Sequence, residues 1–102
     1  MIERPRTPRY SVRAIAEVVD AESGLRLDAR AANMSLIGCY LATTNPLLVG
    51  RRVKLQLTRG DSTIEISGTV VRSETNVGMG ISFTELDASQ LAILEKWFID
   101  LG

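Results

Sequence analysis

The chain has 102 residues, 45% of them apolar, 24% charged and 5% aromatic, with twelve basic side chains balanced by twelve acidic ones and no histidine. That length suits one small domain around a single hydrophobic core, and the apolar fraction excludes a disordered chain. Without histidine, and with Cys39 as the lone thiol, zinc cages, Ser-His-Asp triads, Cys-His dyads and internal disulfides are all excluded.

Residues 1 to 13 hold Arg4, Arg6, Arg9 and Arg13 against only Glu3, a local charge of +3 in a neutral chain. Pro5 and Pro8 lack a backbone donor and fix φ, so residues 1–10 are expected to form an extended, flexible, Arg-rich arm whose guanidinium groups are free to reach a ligand. The first apolar stretch, Val12 to Val19, is interrupted by Arg13 and Glu17; it is too short and too charged for a signal-peptide core or a membrane span. A cytoplasmic location without membrane insertion is the expectation, and a single unpaired thiol agrees with it. Zero net charge argues against a sequence-independent binder of nucleic-acid polymers.

From Ser11 to Asp20 the apolar positions Val12, Ala14, Ala16 and Val18 recur with period two, and Leu25, Leu27, Ala29 and Ala31 repeat the pattern after the turn Glu22-Ser23-Gly24. Two strands joined as a hairpin follow. Tyr40 to Thr43, Arg52 to Thr58, Ser62 to Arg72 and Met79 to Phe83 read as four more, punctuated by Asn45-Pro46, Gly50, Arg59-Gly60-Asp61 and Asn76-Val77-Gly78. Six short strands with tight turns predict a mainly β fold, a six-stranded antiparallel β-barrel over residues 11–84, because closure removes exposed edges. The period then changes. Asp87 with Gln90 forms a capping box, and Leu91, Leu94, Trp97, Phe98 and Leu101 share one face of a C-terminal α-helix over residues 87–101. No repeat, low-complexity tract or linker divides the chain, so residues 1–102 read as a single domain.

Asn33-Met34-Ser35-Leu36-Ile37-Gly38 falls between the second and third predicted strands. A purely structural reading is available: Asn and Ser side chains close local turns, and glycine allows a positive φ or a close approach. Combined with the arginine arm, the stretch points further. The sequence resembles the PilZ domain family of bacterial cyclic di-GMP receptors over nearly its whole length. That family carries an Arg-x-x-x-Arg segment before the first strand and an Asp/Asn-x-Ser-x-x-Gly motif after the second. Asn33, Ser35 and Gly38 match the second motif, Leu47 to Leu57 resembles its loop into a strand, and Gly80-Ile81-Ser82-Phe83 its Gly-x-x-Phe strand. In the first motif Arg9 takes the second arginine's place, while Pro5, flanked by Arg4 and Arg6, stands where the first belongs.

The resemblance implies a PilZ-like barrel and a non-enzymatic receptor that binds cyclic di-GMP through Arg4, Arg6, Arg9, Asn33, Ser35 and Gly38, needs no cofactor or metal, and signals to an unidentified downstream protein. The chemistry is consistent with these residue types. Guanidinium groups pair bidentately with guanine O6 and N7 or with phosphate, and they stack on bases; Asn33 could bond a guanine edge, Ser35 could donate to phosphate or base, and Gly38 would admit the ligand close to backbone. The arm would order itself over the barrel when ligand bridges it to the motif. A second reading stays open, with Pro5 in its favour: a PilZ-like adaptor that binds no cyclic di-GMP and acts through protein contacts in motility, pilus or exopolysaccharide control. A hydrolase with paired carboxylates is disfavoured because the acidic residues are scattered and no nucleophile stands beside a base. Arg59-Gly60-Asp61 reads as a hairpin turn, Cys39 as a small buried hydrophobe, and Trp97 and Phe98 as core anchors of the helix. Arg72 reads as a solvated side chain, with the border of the ligand surface as its alternative place.

Overall fold

Ala14, Ala16, Val18 and Asp20 point inward from the first strand, β1 (Ala14–Asp20), while Ile15 faces solvent. Inward apolar side chains opposed by outward, mostly polar ones also build β2 (Arg26–Met34), β3 (Gly38–Ala42), β4 (Arg52–Arg59), β5 (Ser62–Glu74) and β6 (Gly78–Glu85), and one helix, α1 (Ala88–Leu101), follows. The computed structural model describes residues 8–101. All neighbouring strands are antiparallel and close into a barrel in the order β1-β2-β3-β6-β5-β4, with β4 returning to β1. The expected six-stranded barrel with a C-terminal helix is therefore the fold. Among the described residues no helix is long and apolar enough to cross a membrane.

Met34, Leu41, Leu55, Leu57, Ile66 and Met79 fill the barrel, and α1 adds Leu94, Trp97 and Phe98 to the same core. The capping box forms as the sequence predicts: Asp87 Oδ1 accepts from the Gln90 backbone N–H at 2.8 Å, and Gln90 Oε1 accepts from the Asp87 N–H at 2.7 Å. Those two bonds satisfy donors that the helix start would otherwise leave open. Trp97 Nε1 donates to Ser62 Oγ at 3.1 Å, which ties α1 to the start of β5. Arg59-Gly60-Asp61 is the β4–β5 hairpin turn.

Several boundaries depart from the expectation, and three of them shape the outer face. Regular pairing in β1 starts at Ala14, not Ser11; before it, Tyr10 makes its own bridge, exchanging two backbone hydrogen bonds of 2.8 and 2.9 Å with Met34. Tyr10 also stacks on Phe98, with ring centroids 4.3 Å apart and planes within 12°, an arrangement worth about 0.5–1.5 kcal/mol beyond area burial. The segment expected to be a free arm is thus held at its last residue; Arg4 and Arg6 lie outside the described residues. Second, β2 runs on to Met34 and β3 begins at Gly38, which reduces the predicted Asn33–Gly38 loop to the turn Ser35-Leu36-Ile37. Third, β5 continues past Arg72 to Glu74, because a bulge at Val71 restores the ladder beyond the break in alternation.

Gly38 owes its identity to packing. It faces Ser82 on β6, and a Cβ built on it would overlap the Ile81 carbonyl oxygen. Gly38→Ala forces β3 away from β6 and should cost about 1–3 kcal/mol, the usual range for an overpacked interior; chemical denaturation with unchanged m-value would measure it.

Asp20 locks the opposite side of the barrel. Only 3% exposed, its carboxylate accepts from Ser23 Oγ at 2.8 Å, from the Glu22 N–H at 3.2 Å and from the Arg51 guanidinium, and Arg51 also reaches Glu22 at 2.9 Å. The Arg51 hydrogen bond, followed by that of Ser23, lowers the Asp20 pKa from 3.8 to about 2. The folded value lies below the unfolded one, so this stabilisation is complete above about pH 4 and is lost as pH falls toward 2. Asp20→Asn should lower the thermal midpoint by several degrees at pH 7, with the deficit against wild type shrinking between pH 4 and pH 2. A deficit that is constant with pH contradicts the assignment.

Candidate functional site

A strand in a barrel that alternated without interruption would aim residues 29, 31 and 33 of β2 inward, and likewise residues 66, 68, 70 and 72 of β5. Neither strand does so. In β2 the register shifts between Ala31 and Asn33, so Ala32 is the extra residue, Met34 takes the inward place, and Asn33 turns outward opposite Tyr40. In β5 the register shifts between Val70 and Arg72, Val71 is the extra residue, and Arg72 turns outward opposite Gly80. Bulges of this kind re-aim a side chain without interrupting the sheet.

The consequence is a continuous row across four strands on the outer face. Asn33 of β2 pairs with Tyr40 of β3, Tyr40 with Gly80 of β6, and Gly80 with Arg72 of β5. Beside it runs a second row in which Gly38 faces Ser82. Two glycines and a serine supply little side-chain volume, and the surface sinks there into a depression of about 310 Å³. Arg9, Asn33, Ser35, Gly38 and Arg72 all line it, with Ile37, Tyr40, Val71 and Ser82 at its edges. Arg9 is carried there by its neighbour Tyr10, which the Met34 backbone and the Phe98 ring hold in place.

Of the six residues read from the sequence, Arg9, Asn33, Ser35 and Gly38 thus meet in one place, and Arg4 and Arg6 fall outside the described residues. Their roles differ. Ser35 is buried, its hydroxyl accepting from the Ile37 N–H at 3.2 Å and donating to the Gly38 carbonyl at 3.4 Å, so it shapes the turn. Gly38 sets the β3–β6 approach. Asn33 is half-buried, and among the described residues no hydrogen bond engages its amide, which leaves that group open toward the depression. Arg72 was placed on a solvated face by sequence reasoning. Its side chain is well exposed, yet it stands in the same depression as Arg9. The adjacent apolar pair Val70-Val71 marks where strict alternation fails, but the pairing with β6 decides that Arg72 faces the depression.

Electrostatics favour an anion. The lining carries two guanidinium groups and no carboxylate. Just beyond the rim, Glu74 accepts from Tyr40 Oη at 2.7 Å and from Arg72 at 3.3 Å. The Tyr40 hydroxyl, ahead of Arg72, keeps the Glu74 carboxyl below its ordinary range, and the same bond pushes the tyrosine up. Beneath the floor, burial raises the Cys39 thiol to about 12, so it sits there as a small neutral hydrophobe. A larger depression, about 670 Å³, lies elsewhere, over the outer faces of β1, β4 and β5, and offers four carboxylates against Arg26 and Lys54. It repels what the smaller one attracts.

Comparison with known proteins agrees with this architecture. Among solved structures, the PilZ domain of YcgR from Escherichia coli, determined with c-di-GMP, superposes with a TM-score of 0.79 at 17% identity over 97% of this chain and 92% of that one. MrkH of K. pneumonia, in complex with c-di-GMP, gives 0.79 at 21% identity over 98% of this chain, which spans about half (53%) of MrkH. The PilZ domain of CeSA from a cellulose-synthesizing bacterium gives 0.71 at 14% identity, covering 93% of this chain and 98% of that one. At such identities the likeness establishes the fold alone. No curated protein sequence matches the chain. A family profile, that of the PilZ domain, matches residues 3–100. With nearly the whole chain inside that profile and the barrel topology in agreement, the protein belongs to the PilZ domain family.

Proposed function

We propose that this chain is a non-enzymatic receptor for cyclic di-GMP that passes the signal to a partner protein. The observation that carries the reading is the convergence of Arg9, Asn33 and Arg72 on one depression with no carboxylate in its lining. Structures of YcgR and MrkH with c-di-GMP support it as neighbours of the same fold. A guanine edge meets the Asn33 amide, and a phosphate meets the guanidinium groups in charge-assisted, bidentate contacts. Tyr40 and Val71 give the base an apolar flank.

At about 310 Å³ the depression sits at the lower end of the range for small-molecule sites. It holds part of a cyclic dinucleotide and leaves the rest for the arm to cover. Tyr10 is the fixed end of that arm, so Arg4 and Arg6 would fold over the guest from a hinge at Arg9. The entropy lost in ordering them would oppose the charge-assisted bonds they form. The new surface made by the closed arm beside α1 would be what a partner reads. The adaptor reading is favoured by Pro5 in place of the first motif arginine and by the engagement of Ser35's hydroxyl within its own turn.

Titration calorimetry with cyclic di-GMP separates the two. Binding is expected, weakening as salt rises because exposed charges are screened. Arg9→Ala and Arg72→Ala should each weaken it about tenfold or more, since a charged hydrogen bond contributes about 1.5–3 kcal/mol. Ser35→Ala, which disturbs the turn and removes no charge, should cost less. No heat at tens of micromolar ligand, in wild type and variants alike, contradicts the receptor reading and favours the adaptor.

A further inference from the structure

Arg72 reaches the depression already in company. Glu74 stands two residues further along the same outer face of β5, facing Gly78, and Tyr40 stands on β3 with β6 between them. At that level β6 presents only Gly78 and Gly80 outward. No side chain intervenes, so the Tyr40 ring lies across the bare strand; a Cβ on Gly78 would come within 2.8 Å of its Cε2 atom. The hydroxyl arrives at Glu74 Oε1 with a 2.7 Å hydrogen bond, while Oε2 of the same carboxylate accepts from Arg72 Nη2 at 3.3 Å. Three side chains from two strands are thus laid over a third.

We propose that Glu74, anchored by Tyr40, is an internal competitor for Arg72: it holds the guanidinium at the rim of the depression, and an anionic guest must displace it to reach that cation. The natural identity of the guest rests on the receptor reading above; the competition does not. The anchor is firm and the grip is weak. Tyr40 to Glu74 is a short, partly buried bond, whereas Glu74 to Arg72 is one long contact to a guanidinium whose side chain is 68% exposed. A phosphate with two oxygens in the plane of the guanidinium outcompetes a single contact of that length. Displacement then leaves the carboxylate in place on Tyr40, ready to retake Arg72 when the guest departs. The residue sets the concentration at which the site fills without touching the guest.

The test uses the full chain with Glu74→Gln, which keeps the shape and an acceptor for Tyr40, alone and combined with Arg72→Ala. Two probes are titrated: cyclic di-GMP by calorimetry, and inorganic pyrophosphate by NMR of the Arg72 Nε signal, with the Asn33 side-chain amide as reporter where Arg72 is absent. Exposed ion pairs are weak, so Glu74→Gln should tighten both probes by about two- to five-fold, and the improvement should vanish in the Arg72→Ala background. If cyclic di-GMP gives no heat with any variant while pyrophosphate shows the tightening at Arg72, the receptor reading fails and the competitor role stands. Three results overturn the proposal whatever the dinucleotide does: unchanged or weaker pyrophosphate binding in Glu74→Gln, an equal improvement with and without Arg72, or an Arg72 signal that pyrophosphate moves in neither protein.

Discussion

In a closed barrel each strand has an inside and an outside, and a slip of one residue exchanges them. Two such slips decide where Asn33 and Arg72 stand on the outer face of this protein. The extra residues Ala32 and Val71 keep the core side apolar up to the break, with Ala31 and then Met34 buried on β2 and Val70 buried on β5. They also deliver a polar amide and a guanidinium to the same cross-strand row. Core and site are thereby decoupled. The barrel keeps its hydrophobic filling, while the outer face acquires groups that strict alternation would have buried at prohibitive cost.

What lies between those two side chains matters as much. Gly38, Gly78 and Gly80 strip the outer surface of β3 and β6, and at Gly38 and Gly78 the neighbouring strand or ring comes so near that no side chain would fit. The same absence of volume makes the depression, admits the Tyr40 ring and brings β3 against β6. Glycine in a strand weakens it, and here the antiparallel neighbours on both sides compensate. On the far side, the lock of Asp20 with Arg51 joins the β1–β2 turn to the entry of β4.

Much of the fold was legible in the residues, for physical reasons. Period two in Val12 to Val18, Val53 to Leu57 and Ile64 to Val70 follows from burial on one face, and the Asp87–Gln90 box marks a helix start because both bonds are local. The motif stretch announced that something happens near Asn33. The bulges were not legible: Ala32 and Val71 are ordinary strand residues, and which of two adjacent apolar side chains leaves the ladder is decided by pairing with β3 and β6. Tyr10 escaped for a similar reason, since its stacking partner Phe98 lies at the other end of the chain. Arg72 was weighed and set on the solvated face because nothing local distinguishes an exposed arginine beside a ligand site from one beside water.

The claim on which the rest depends is that Arg9, Asn33 and Arg72 meet one anionic guest on the bulged face of β2, β3, β6 and β5. Nitrogen-resolved NMR during titration with cyclic di-GMP measures it most directly. Shifts should concentrate at the Asn33 side-chain amide, the Nε signals of Arg9 and Arg72 and the backbone amides of Gly38 and Gly80, with Lys54 and Gln56 on the opposite face unmoved. Shifts centred on β1 and β4, with Asn33 and Arg72 silent, would contradict it.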